Sequence, residues 1–344
     1  LCNMKKPPQW DADFESRLRT ADVVLVTNMG VGLDSPFLER LERWLYAHHP
    51  KYWIDVVEPK KTDILYRNLD EDKRVLLESY RRTSGVMNYV RLINGAFSTK
   101  PTSEWEEPDP IPWQAIMGRE GNIYETYDEF MDAEGHRDWP SIAVYFYRDE
   151  WIMGDIEYQQ ALFEEIYKHQ YNPIIFYGQY GSNPRVGIPN MKLSMNHLFG
   201  KDEFPFDVLI NTCKFSFQSL GAQTLEELKL QDVPIVQGYT IYMDEKSWAE
   251  NPQGVTPLDV NLSISQPELD GVIQGGVVAC QTYDERGHYV YLPVKERIAA
   301  IVQRAIKWSA LRHIPVSERK VAVILHNYPP KNSNIGSAAG LEIG

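Results

Sequence analysis

The chain has 344 residues, 43% hydrophobic and 12% aromatic, enough for two or three domains with ordinary cores. Its net charge of −13 is spread along the sequence and argues against a nucleic-acid surface, which needs clustered Lys and Arg. Apolar runs such as VVLV and VAVIL are strand length, far below the roughly 20 residues that cross a bilayer, so no transmembrane segment is expected. The opening LCNMKKPPQW has no apolar h-region, and Cys2, Cys213 and Cys280 form no CxxC pair. Both features favour a reducing cytoplasm over a secreted, disulfide-stapled protein.

In chain order, residues 22–58 read as a β-α-β unit. DVVLVTN is a buried strand, Ser35-Pro36 opens a helix that ends at Pro50, and YWIDVV is the next strand. A helical region follows, roughly Asp72 to Asn94. Residues 98–140 are proline-rich and acidic, and read as a long connection with one short helix near Tyr124–Met131. From Trp139 the alternation is regular. The strands are SIAVYFY, PIIFYG, FDVLIN and VPIVQG, and the helices are Asp155–His169, Met191–Phe199 and Thr224–Gln231, the last with a Thr224/Glu227 capping box. Such alternation implies a parallel sheet with helices on both faces and ligands beyond the carboxyl ends of the strands. Arg148, Gly178, Asn211 and Gln237 occupy those ends. Residues 240–292 read as strand and loop. A helix then begins near Pro293, its apolar stripe (Val294, Ile298, Ile301, Val302, Ala305, Trp308) reading as packing, and VAVILHN starts a fresh unit.

Several strings carry chemistry. NMGVGLDS has Gly30 and Gly32 after a strand, but Ser35 stands where a dinucleotide fingerprint needs its third glycine. A glycine-rich turn is the favoured reading. No GxxxxGK[ST] occurs, so any ATP is expected on another polypeptide. In NTCKFSF, Lys214 and Ser216 directly follow a strand and could meet an anion, while Cys213 reads as a buried filler. In PELDG, read as extended, Glu268 and Asp270 share a face and could serve one ligand or cation. The alternative is an acidic turn in solvent. His326 stands at the carboxyl end of a strand, unlike His48, His169 and His313 near helix ends.

Together these strings resemble the CobN/magnesium chelatase H-subunit family. The resemblance runs in order through PSIAVYFYRDEWIMGD, FDVLINTCKFSF, VPIVQGY, SWAENPQGVTPLDVNLSISQPELDGVI, ERIAAIVQRAIKWSALR and RKVAVILHNYPPKNSNIGSAAGLE. It implies the N-terminal part of a large tetrapyrrole-binding subunit that inserts cobalt or magnesium with AAA+ ATPase partners, which bind the ATP. A haem-side variant that removes metal, and a non-catalytic α/β binding module, are the alternatives. The family's downstream histidine-glycine and glutamate-rich motif is absent, so the chain is expected to be inactive alone.

The resulting expectations are specific. The fold is α/β, with tandem Rossmann/flavodoxin-like domains, mainly parallel sheets and a two-lobed layout like a periplasmic binding protein. The divisions are 1–100, an α/β domain; 101–138, the connection; 139–240, a flavodoxin-like domain; 241–320, strands, loops and the long helix; and 321–344, the start of another unit. A tetrapyrrole needs apolar walls and a few edge donors, and Arg148, Asn211, Lys214, Asn327, Tyr328 and Asn334 are the edge contacts expected. His326, Glu268 and Asp270 are the groups expected to take pyrrole protons, with His326 also passing the metal.

Overall fold

The computed structural model describes residues 9–22, 24–29, 36–48, 52–57, 65–67, 71–178, 188–200, 204–220, 226, 229, 231–285 and 287–322. The chain divides into two compact units, Leu1–Pro112 and Trp113–Gly344.

In the first unit, β1 (Val24–Met29) pairs in parallel with β2 (Tyr52–Val57), and β3 (Leu65–Arg67) is antiparallel to β2. The helix Pro36–His48 connects β1 and β2 and buries Leu41, Trp44 and Leu45 against Phe14 and Leu18. The expected single helical region after β3 is two helices, Glu71–Thr83 and Val86–Phe97. Ser84 and Gly85 break it, with φ of 63° and 88°. Two left-handed residues in succession cannot continue a right-handed helix.

The second unit is built on an eight-stranded sheet. Its strands are β4 (Ala115–Met117), β5 (Ile123–Tyr124), β6 (Ser141–Tyr147), β7 (Asn172–Gly178), β8 (Val208–Asn211), β9 (Ile235–Ile241), β10 (Ile273–Tyr283) and β11 (Tyr289–Pro293), in the order β11-β10-β9-β8-β6-β7-β4-β5. The five central strands are parallel; β4, β5 and β11 are antiparallel at the edges. β6, β7 and β8 are buried almost throughout, as expected of parallel strands covered on both faces. The helices Glu157–Lys168 and Lys295–His313 pack on the sheet and on each other, the second burying Ile298, Ile301, Val302 and Ala305.

Two elements depart from the sequence expectation. The proline-rich connection contains β4 and β5 as well as the helix Tyr127–Ala133. Strands of three and two residues are too short to show a period of two. Residues 240–292 contain a helical segment, in which an α turn (Pro257–Asp259) leads through a π turn (Val260–Ser265) into another α turn (Gln266–Glu268). Pro257 occupies the first turn of this segment, where no N–H is needed. Gly275 marks a bulge in β10, where a Cβ would lie 2.4 Å from the Gln237 carbonyl oxygen. The expected helix Thr224–Gln231 and strand 321–325 lie largely outside the described residues.

One buried amide ties the entry of β6 to that of β7. Asn172, 1% exposed, accepts from His136 N (2.8 Å) and donates to the carbonyls of His136 and Trp139 (both 2.9 Å). Asn172→Ala strands these groups, and a loss of about 2–3 kcal/mol is expected. Urea unfolding checks it as a lower midpoint with an unchanged m-value.

Candidate functional site

In an open parallel sheet, ligands bind beyond the carboxyl ends of strands where successive connections depart in opposite directions. Here the chain leaves β6 for β7 on one side and returns to β8 on the other. The parallel strands therefore run in spatial order 2-1-3-4-5, and the switch point lies between the ends of β6 and β8.

Two cations stand there. Arg148 follows β6 at the start of the helix Arg148–Met153; it is 1% exposed, and its guanidinium carbon lies 4.4 Å from the centroid of the Trp113 ring. Lys214 is on the loop after β8 and is 5% exposed. Its Nζ lies 3.4 Å from the Tyr242 ring centroid and donates to Tyr291 Oη at 3.0 Å. Aromatic faces of this kind hold an ammonium through the ring quadrupole.

The loop is braced from several sides. Tyr147 Oη accepts from Lys214 N (2.8 Å) and donates to Lys214 O (2.9 Å). Asn211, expected as an edge contact, spends its amide within the protein. It donates to Gln237 Oε1 (2.8 Å) and Cys213 O (3.3 Å) and accepts from Cys213 N (3.2 Å). Gln237 Nε2 adds a bond to Cys213 O at 2.9 Å. Asn211 thus shapes the loop that presents Lys214.

A carboxyl group missing from the sequence reading completes the cluster. Glu150 Oε2 accepts from Tyr158 Oη (2.6 Å) and Gln159 Nε2 (2.7 Å), and Tyr158 Oη meets Thr212 Oγ1 at 3.1 Å. Removal from water raises Glu150 to about 8, opposed by the Tyr158 hydrogen bond. Lys214 is lowered to about 8, again chiefly by burial, while Asp259 and Glu150 pull it back up. Burial also raises the neighbouring Cys213 thiol well above its ordinary range, which fits a filler rather than a nucleophile. Groups displaced toward neutrality beside a sheet switch point make this cluster the candidate site. Glu150 stands two residues after Arg148, but its partners Tyr158 and Gln159 come from the next helix.

Glu268 and Asp270 do not share a face. The reading of PELDG as extended is corrected by the helical turn Gln266–Glu268, which leaves Glu268 exposed and Asp270 buried. Asp270 Oδ1 accepts from Ser216 Oγ at 2.7 Å, and Oδ2 accepts from Phe217 N. The π turn before it is a feature often found at functional sites. His326, Asn327, Tyr328 and Asn334 lie outside the described residues. Among the described residues, no group of three or more His, Cys, Asp or Glu could hold a metal ion, and no helix is long and apolar enough to cross a membrane. An open cleft of about 570 Å³ lies at the opposite sheet edge, beside the starts of β9 and β10, with Trp308, Arg312 and Arg319 in its lining. Asp270 is also in that wall; Arg148, Asn211 and Lys214 are not.

The fold is an open α/β sheet with a partly buried cluster of charged groups at its switch point. The chain belongs to the CobN/magnesium chelatase family, whose model matches residues 78–344. It is 30% identical over 295 residues, 80% of its length, to an uncharacterised protein of Methanocaldococcus jannaschii. It is 25% identical over 69% of its length to the aerobic cobaltochelatase subunit CobN of Pseudomonas aeruginosa, and 28% identical over 35% to the magnesium-chelatase H-subunit of Rhodobacter capsulatus. The catalytic subunit of cobaltochelatase from Mycobacterium tuberculosis superposes on 98% of the chain with a TM-score of 0.60 at 19% identity, a likeness of fold. The chain spans 24% of the length of the M. jannaschii relative and 19% of the P. aeruginosa one.

Proposed function

We propose that this chain is the N-terminal part of the large tetrapyrrole-binding subunit of an ATP-dependent metal chelatase, one that inserts cobalt into a corrin-type ring. The carrying observation is the family match over residues 78–344. Cobalt is favoured over magnesium because the match to the cobaltochelatase relative covers 69% of the chain and that to the magnesium-chelatase relative 35%. ATP is assigned to AAA+ partner subunits, and the assembly to the cytoplasm.

Within this reading, the switch point receives a carboxylate-bearing edge of the ring. Lys214 supplies a charge-assisted hydrogen bond, Arg148 a second positive charge, and Tyr242 and Trp113 apolar faces. Glu150, uncharged below about pH 8, does not repel an anion there. His326 remains the candidate for proton acceptance and metal transfer. Asp270 shifts from proton acceptor to a structural part of the site.

The test is metal insertion by the full-length protein with its ATPase partners, followed by the absorbance change of the ring. ATP-dependent incorporation of cobalt, with little or none of magnesium, is expected. Magnesium incorporation in its place contradicts the metal assignment, and ATP-independent loss of metal from a metallated ring contradicts the direction.

A further inference from the structure

Asp270 lies 56 residues beyond Lys214 in sequence, on a different element, yet its carboxylate terminates the Lys214 loop. Its own backbone is fixed. Asp270 N donates to Pro267 O (2.9 Å) and Gly271 N to Glu268 O (3.0 Å), closing the helical turn. Gly271 follows with φ of 80°, the left-handed conformation that ends helices. From this anchored position the carboxylate takes Ser216 Oγ on one oxygen and Phe217 N on the other, and Ser216 Oγ in turn accepts from Gln218 N at 3.0 Å.

The same crossover grips the loop once more, through Phe215 N donating to Leu262 O at 2.7 Å in the π turn. Phe215 has φ of 70°, a conformation costly for a bulky residue that persists only where its surroundings enforce it. The enforcement comes from both sides. Tyr147 and Asn211 hold Cys213 and Lys214, while Leu262 and Asp270 hold residues 215–217. Lys214 lies at the join.

We propose that Asp270 is a positioning residue: by fixing Ser216 and Phe217 it keeps Phe215 in its left-handed conformation and holds the Lys214 ammonium against Tyr242 and Tyr291. This deepens the proposed function, since Lys214 is the cation offered there to the ring edge. Its test needs no ring, so it can fail while the substrate assignment stands.

The measurement is the ionisation of Lys214, followed by NMR of 13Cε-labelled lysine and assigned by the signal lost in Lys214→Met. The groups acting on this ammonium are Glu150, Asp259 from the crossover, Cys213, and the rings of Tyr242 and Tyr291. In the wild-type chain the midpoint is expected at about 8, because burial lowers it. Asp270→Ala removes both acceptors, from Ser216 Oγ and from Phe217 N, freeing the loop. The midpoint then moves up by about one pH unit or more, toward the ordinary lysine value near 10.4. Ser216→Ala, a milder change, moves it the same way by less and decides the matter should Asp270→Ala fail to fold. Asn172→Ala loosens the fold from a site outside this network and leaves the midpoint in place. The proposal is overturned if a folded Asp270→Ala or Ser216→Ala titrates like the wild type, or if Asn172→Ala produces the same shift. A wild-type Lys214 already titrating near 10.4 overturns it as well.

Discussion

Replacing Lys214 by methionine lowers the affinity for a carboxylated tetrapyrrole by about 10- to 100-fold, the equivalent of one charge-assisted hydrogen bond of about 1.5–3 kcal/mol. Methionine keeps much of the length and the apolar stem between Tyr242 and Tyr291, so packing changes little while the charge is removed. The wild-type affinity also weakens above about pH 8, as Lys214 loses its proton. The variant keeps only the weaker dependence that comes from Glu150 ionising above about pH 8. Fluorescence quenching of the ring across pH 6–9 checks both. A variant that binds as tightly as the wild type at pH 7 places the ring edge elsewhere.

The second large effect is on stability against pH. Glu150 titrates near 4.5 in an ordinary environment and near 8 in the folded chain. Between those values the folded state holds one proton more than the unfolded state, so raising the pH destabilises the fold, and this contribution is lost by about pH 8. Lys214 titrates ordinarily at 10.5 and here near 8. Between those values the unfolded state holds the extra proton, so raising the pH restores stability. The pair therefore contributes a stability minimum near pH 8. Glu150→Gln flattens the descending limb, although Asp149 and Asp155, also raised by burial, keep part of it. Lys214→Met removes the rise above pH 8. Denaturant midpoints from pH 5 to 10 give both limbs directly, and parallel curves for wild type and Glu150→Gln contradict this account of the cluster.

The central strands were legible because burial on both faces leaves a distinctive mark. SIAVYFY and PIIFYG are uninterrupted runs with no solvent side to alternate with. Lys214 was legible for a related reason, since it directly follows a strand at the end where parallel sheets bind ligands. Glu150 was not. Its raised pKa comes from burial that only the fold produces, and its partners Tyr158 and Gln159 stand in the next helix, while nothing in YRDEWIM distinguishes it from Asp149. Asn211 and Gln237 were visible as polar strand ends, but their pairing depends on β8 and β9 being neighbours. PELDG misled because proline and glycine punctuate turns and helix ends alike. The conformation was decided by the π turn before it, which has no sequence period to read.

These residues converge on one claim, that the switch point of the Trp113–Gly344 unit is a tetrapyrrole-edge site. The most direct measurement is a titration of the 344-residue chain with a metal-free carboxylated tetrapyrrole at pH 7, read in the Soret region. Saturable binding with a shifted band is predicted for the wild type, with the curve displaced to higher concentration by Lys214→Met. An unshifted band throughout the titration, or binding unaffected by Lys214→Met, contradicts the claim.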